Sequence, residues 1–195
     1  MNLPNKISIA RICMIPVFVL FFFLEFPYHH AVSALIFAVA ACTDFVDGHI
    51  ARSRNLVTNL GKFLDPIADK VLVATAFVLM VTEQKIFGVF GAWGEIAGAV
   101  CICLILAREL IISAFRQIAA TAGIVLAAEK LGKYKTACQD ACVAVLLVGA
   151  SLVGTALKVV NIVGLVLFAA ATVLTVISGV SYVVKNKQVL KDTEK

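Results

Sequence analysis

The sequence predicts an all-α fold: a polytopic membrane protein with six transmembrane helices, built as a single domain over residues 1–195. Three observations predict it. Of the 195 residues, 62% are hydrophobic and only 15% are charged, and the mean hydropathy is +1.01, whereas soluble domains are roughly 45–50% apolar. Apolar stretches of the ~20 residues that cross a bilayer core recur along the whole chain. Lys and Arg gather at one end of these stretches, as they do on the cytoplasmic side of membrane proteins. A soluble globular protein is thereby excluded. The net charge of +5 reads as membrane orientation, and no nucleic-acid partner is expected.

The chain opens on the polar Asn2 to Ser8, a short interfacial segment (about residues 2–8), before a first span over Ile7–Leu24. No small-residue cleavage site follows this apolar run, so the span is read as retained. Pro16 inside it predicts a kink, with neighbouring helices satisfying the freed carbonyl. A connector with Pro27, His29 and His30 leads to the second span, Ala31–Arg52, and the polar stretch Asn55 to Asn59 separates that from the third, Gly61–Thr82. Glycines from Gly88 to Gly94 precede the fourth span, Gly94–Ala119. The stretch from Gly123 to Gly132 precedes the fifth, Lys133–Leu152, and the sixth covers Val159–Val184. With both termini inside, all of the 17 Lys and Arg residues except Lys70, Lys85, Arg108 and Lys158 fall on the inner side. The positive-inside bias therefore predicts cytoplasmic termini. The six cysteines, Cys13, Cys42, Cys101, Cys103, Cys138 and Cys142, lie in apolar stretches without a C-x-x-C pair. They read as small packing residues, with neither disulfides nor structural zinc expected.

The chemistry-bearing stretch is Asp44-Phe-Val-Asp47-Gly48-His-Ile-Ala51-Arg52, followed after eight residues by Gly61-Lys-Phe-Leu-Asp65-Pro-Ile-Ala-Asp69. Residues three or four apart share a helical face, so Asp44 pairs with Asp47 and Asp65 with Asp69 near the inner ends of consecutive spans. At a rise of ~1.5 Å per residue from Gly61, Asp65 and Asp69 lie about 6 and 12 Å into the third span. Carboxylates inside a membrane are costly and mark functional sites. Four facing one another repel unless protonated, paired with cations or bound to metal. Two divalent ions balance four charges, and all-oxygen ligation suits Mg²⁺ or Mn²⁺. A two-metal clamp is the arrangement that stabilises attacking and leaving oxygens in phosphoryl chemistry. Gly48 and Gly61 remove side chains beside the acids, and Arg52 at the membrane edge suits a phosphate. Two alternatives stand beside this one. The acids could be salt-bridge partners for Arg52, Arg54, Lys62 and Lys70, or they could line the ion path of a cation transporter, which has no need of small residues at these spacings.

At every defined position this stretch matches the signature D-x2-D-G-x2-A-R-x8-G-x3-D-x3-D, and the chain therefore resembles the CDP-alcohol phosphotransferases, integral membrane enzymes of phospholipid synthesis. The resemblance implies six transmembrane helices, a homodimer, a site for two Mg²⁺ or Mn²⁺ ions, and transfer of a phospho-alcohol group from a CDP-alcohol with release of CMP. Carried over by position, Asp44, Asp47 and Asp65 resemble metal ligands, and Asp69 a ligand that also serves as the general base. Gly48, Ala51, Arg52 and Gly61 fall at CDP-binding positions.

The acceptor is suggested by a second set of residues. Leu3 to Arg11, Arg108-Glu-Leu-Ile-Ile-Ser-Ala-Phe-Arg116-Gln and Leu131-Gly-Lys133-Tyr-Lys135-Thr-Ala-Cys-Gln139 resemble the bacterial phosphatidylglycerophosphate synthase branch. That branch implies CDP-diacylglycerol as donor, sn-glycerol 3-phosphate as acceptor, and a bacterial inner (cytoplasmic) membrane with the site facing the cytoplasm. Arg108, Arg116, Lys133 and Lys135 are then the candidates for binding the acceptor's phosphate. Arg108 and Arg116 stand about 80° apart around one helix. Positive-inside charge accounts for Arg116, Lys133 and Lys135 equally well. For Arg108 the alternative is an ion pair with Glu109 of a neighbouring subunit or with Asp140. Asn5, Ser8 and Arg11 either line the inner cavity or cap the first helix. The acceptors of the cardiolipin, phosphatidylserine and inositol-phosphate branches remain the alternatives within the superfamily, and the histidines are assigned no role.

Overall fold

The structure, a computed structural model, describes residues 3–53, 59–121 and 130–187, with the side chains at 3–4, 44–53, 59–60, 62–66, 121 and 130 left out of the description. These residues are helical and contain no strand: α1 (Leu3–Phe23), α2 (His29–Ser53), α3 (Asn59–Thr82), α4 (Gln84–Phe87), a 3₁₀ turn (Gly88–Phe90), α5 (Gly91–Thr121), α6 (Lys130–Ala150) and α7 (Gly154–Lys185). A backbone in hydrocarbon must satisfy its hydrogen bonds internally, and the helix is the local way to do so. Each predicted span corresponds to one long helix. By length and apolarity three described runs suffice to cross a bilayer, Asn5–Phe23, Gln84–Ala120 and Gly154–Lys185, and His29–Thr43 is a shorter apolar helix. The protein is a helical membrane protein.

Burial on the last helix follows what a lipid solvent allows, with apolar side chains facing out. On α7 the inward positions are Asn161, Gly164, Phe168, Ala171, Thr172, Thr175, Ser178, Gly179 and Tyr182, a three-and-four spacing that keeps one face on the bundle. Its outward face carries Val159, Ile162, Val166, Val173, Ile177 and Val180, all exposed. Small inward residues bring α7 close to α6: a Cβ added at Gly164 would lie 2.5 Å from Leu146 Cδ2. Small-residue seams of this kind drive helix association where hydrophobic burial cannot. Phe18, Phe37, Leu72, Phe77, Met80, Leu146 and Phe168 fill the centre between α1, α2, α3, α6 and α7.

Residues 3–8 form the first turns of α1, which runs on through Pro16 to Phe23, and Asn5, Ser8 and Arg11 are buried on one face of it. The connector after the third span contains the short helix α4, whose Ile86 and Phe87 insert into the core. Among the cysteines, Cys13, Cys42 and Cys103 are exposed on the outside of the bundle and only Cys142 is buried, so packing in the interior is not their common role.

The two ends of the bundle differ. At one end His30 Nε2 donates to Glu83 at 2.9 Å, Lys85 Nζ donates to the Ala150 carbonyl at 3.2 Å, and Asn161 Nδ2 donates to the carbonyls of Lys85 at 2.8 Å and Ile86 at 3.0 Å. These bonds clasp the start of α2, the α3–α4 joint, the end of α6 and the start of α7. The His30–Glu83 contact also makes α2 and α3 antiparallel, which brings the end of α2 and the start of α3 to the opposite end. Both acidic pairs lie there.

Candidate active site

The bounds of α2 and α3 set the depths of the four aspartates. Asp47 stands six residues before Ser53 and Asp65 six after Asn59, about 9 Å along each helix from the intervening link. Asp44 and Asp69 stand nine and ten residues from the same ends, about 14 and 15 Å. The antiparallel pair therefore carries its acids at two matched levels. The side chains of Asp44, Asp47 and Asp65, and those of Ala51 and Arg52, lie outside the described residues, as does the surrounding of Gly48. Gly61 is buried and Asp69 half-buried. An all-carboxylate donor set at matched depth on adjacent helices fits a hard divalent cation such as Mg²⁺ or Mn²⁺.

Asp69 opens on a cavity of about 230 Å³ between α3, α5 and α6. Its polar lining is Asp69, Lys70, Glu109, Lys135, Thr136 and Gln139, and its apolar walls include Val73, Phe77, Ile105 and Leu106. Lys135 is 4% exposed and donates to Glu109 Oε1. The same oxygen accepts from Arg108 Nη1 at 3.2 Å, and Arg108 Nη2 donates to Ser178 Oγ of α7 at 3.0 Å. Lys70 donates to Ser113 Oγ, which donates in turn to the Glu109 carbonyl. Gln139 Nε2 donates to Thr175 Oγ1 at 3.4 Å. Two cations, Lys70 and Lys135, and two carboxylates, Asp69 and Glu109, thus line a space walled by apolar groups, where the effective dielectric is low and each charge acts strongly.

The four acceptor candidates separate. Lys135 lines the cavity with Asp69, and Arg108 reaches that space through Glu109. Arg116 is exposed and turns to α7, its Nε donating to the Tyr182 hydroxyl at 3.1 Å and its guanidinium lying 5.1 Å from that ring's centroid. Lys133 is exposed, as a residue two positions from Lys135 must be, about 200° around the helix. The partner of Arg108 is Glu109 of the same chain. The sequence offered Glu109 only as the acid of a neighbouring subunit, because neighbours in sequence point about 100° apart and only the length of the Arg side chain closes the gap within one chain. Its pairing with Lys135 was the part missed, and the one signal was an acid in the middle of an apolar span.

A family model described as CDP-alcohol phosphatidyltransferase matches residues 1–189. The chain belongs to the CDP-alcohol phosphatidyltransferase family. It is 39% identical over 181 residues, 93% of both chains, to the CDP-diacylglycerol–glycerol-3-phosphate 3-phosphatidyltransferase of Rickettsia bellii. Proteins of the same name from Bacillus subtilis are 38% identical over 204 residues, covering 97% of each chain, and from Salmonella paratyphi A 42% identical over 183 residues, covering 93% of this chain and 92% of the relative. This phosphatidyltransferase is a transferase of the membrane, and Asp69, Glu109 and Lys135 line one cavity of it.

Proposed function

We propose that this enzyme transfers the phosphatidyl group of CDP-diacylglycerol to sn-glycerol 3-phosphate, giving phosphatidylglycerol phosphate and CMP. The observation that carries the reading is the likeness, at 38–42% identity over nearly the whole chain, to bacterial enzymes named for that reaction. The cavity supports it, because a half-buried carboxylate and the buried cation of Lys135 share one space of small-molecule size.

Asp44, Asp47, Asp65 and Asp69 would hold two divalent ions, Mg²⁺ or Mn²⁺. Bound there, such ions supply charge stabilisation to the oxygens of a pyrophosphate. Asp69 takes the proton from the primary hydroxyl of glycerol 3-phosphate. The oxygen so freed forms a bond to the lipid-side phosphorus of CDP-diacylglycerol as the bond from that phosphorus to the CMP oxygen breaks. In this reading Arg52 neutralises the phosphates of the leaving nucleotide, the small Gly48, Ala51 and Gly61 leave room for it, and Lys135 with Arg108 holds the acceptor's phosphate. No side-chain nucleophile is needed, because the acceptor hydroxyl attacks directly. The setting is the bacterial inner membrane, with the site and both termini cytoplasmic in accord with the Lys and Arg distribution, and the assembly a homodimer.

The test is CMP release by the purified protein with CDP-diacylglycerol, with and without glycerol 3-phosphate, repeated with chelator and with other polyol and phospho-polyol acceptors. Release that requires glycerol 3-phosphate and a divalent ion supports the reading. Release supported equally by free glycerol, or by inositol phosphate in its place, moves the enzyme to another acceptor.

A further inference from the structure

Glu109 has no part in the chemistry just described, yet two cations meet at one of its oxygens. It sits in α5, within one of the most apolar runs of the chain, where an ionised carboxylate is tolerated only against positive charge. One oxygen serves two cations, Arg108 at 3.2 Å and Lys135 from the facing helix. The two cations are held differently. Arg108 is fixed on its far side by Ser178, and its stem is pressed against α7 so closely that a Cβ at Gly179 would come within 2.8 Å of Arg108 Cγ. Lys135 has a flexible stem, is 4% exposed, and among the described residues has Glu109 as its ion-pair partner.

A buried ammonium needs a counter-charge at all times, because leaving it alone in a low-dielectric space is more unfavourable than any pair it forms. With an acceptor in the cavity, the phosphate meets that need. With the cavity empty, something of the protein's own has to. We propose that Glu109 is the resident counter-ion of the acceptor site: it holds Lys135 while the cavity is empty, stays with Arg108, and gives Lys135 up to the acceptor's phosphate. This rests on the glycerol 3-phosphate reading above. It makes Glu109 a positioning residue that sets acceptor affinity by competing with the incoming dianion for the same ammonium group. The consequence runs opposite to that of a merely structural residue, since weakening the competitor tightens binding.

The experiment uses Glu109→Gln, which keeps an accepting oxygen for both cations and removes the charge. Two quantities are read on the purified enzyme: KM for glycerol 3-phosphate against KM for CDP-diacylglycerol in the CMP-release assay, and the rise in Tm produced by inorganic phosphate, a probe that needs no turnover. The expected result is a glycerol 3-phosphate KM lowered by about tenfold, the worth of one charge-assisted hydrogen bond, with the donor KM unchanged and a larger phosphate-induced Tm rise than in the wild type. An acceptor KM that is unchanged or raised overturns the proposal. Where Glu109→Gln does not accumulate, Glu109→Asp carries the test: it withdraws the charge from Lys135 by one methylene, so the acceptor KM falls by a smaller factor, and an unchanged or raised value again overturns it. Wild-type enzyme that releases CMP without glycerol 3-phosphate overturns the proposed function instead, while the phosphate-dependent Tm still decides the role of Glu109.

Discussion

Asp69 and Lys135 approach the same cavity from different helices, and their substitutions should be separable in kinetics. As the proposed base, Asp69 acts only as the transition state forms, so Asp69→Asn should lower kcat by about 10²-fold or more and leave the CDP-diacylglycerol KM within a few-fold. Loss confined to donor affinity would assign Asp69 to binding alone. Lys135 acts on the acceptor, and Lys135→Ala should raise the glycerol 3-phosphate KM by about tenfold or more, whereas Lys133→Ala, on the exposed side of the same helix, should change it by less than about twofold. Equal effects of the two lysines in acceptor titrations would mean that general positive charge attracts the substrate. The acids were legible in the sequence because charge inside an apolar run stands out and spacing assigns a face. The partition of the four basic candidates was not, since face assignment needs the neighbouring helices: Arg116 could be sent to Tyr182 only once α7 was known to lie beside α5.

Helices were the most legible features. Each long helix begins and ends within a few residues of its predicted span, because lipid requires an uninterrupted run and the connectors carry Gly, Pro or polar side chains. Gln84 to Phe90 escaped for the converse reason: a single turn of helix shows no periodicity, and Gly88 with Gly91 marks the stretch only as a connector. Only burial of Ile86 and Phe87 against the bundle makes it an element. Its anchor is Asn161, which donates to two of its carbonyls. Interhelical hydrogen bonds in membrane proteins average about 0.6 kcal/mol, so Asn161→Ala should destabilise the protein by about 1 kcal/mol and lower Tm in detergent by about 2–4 °C, with the acceptor KM unaltered because the site lies at the other end. A shift in that KM alongside Tm would show the two ends to be coupled.

For the whole molecule the division of labour is between ends. The clasp at one end contains the His30–Glu83 contact and has its own pH dependence. Glu83 lies outside the long helices, and the hydrogen bond from His30, outweighing its partial burial, holds its carboxyl below the ordinary value of 4.5. A carboxyl depressed on folding contributes stability above its unfolded value and loses it as pH falls through the folded one. Thermal melts in detergent should therefore show stability falling below about pH 4.5, and Glu83→Gln should flatten that limb while lowering Tm near neutrality. An acid limb unchanged by the substitution would locate the loss in other carboxylates.

The Arg11 guanidinium also bears on how the chain is made. It is fully buried, and its Nε donates across to α2, to the Ala40 carbonyl at 3.2 Å and to Thr43 Oγ1 at 3.3 Å. During synthesis α1 leaves the ribosome before α2, carrying a cation whose acceptors on α2 have not yet emerged. The first helix alone is thus an unfinished insert, and the smallest piece that enters the bilayer with those partners supplied is the α1–α2 hairpin, complete once Thr43 has emerged.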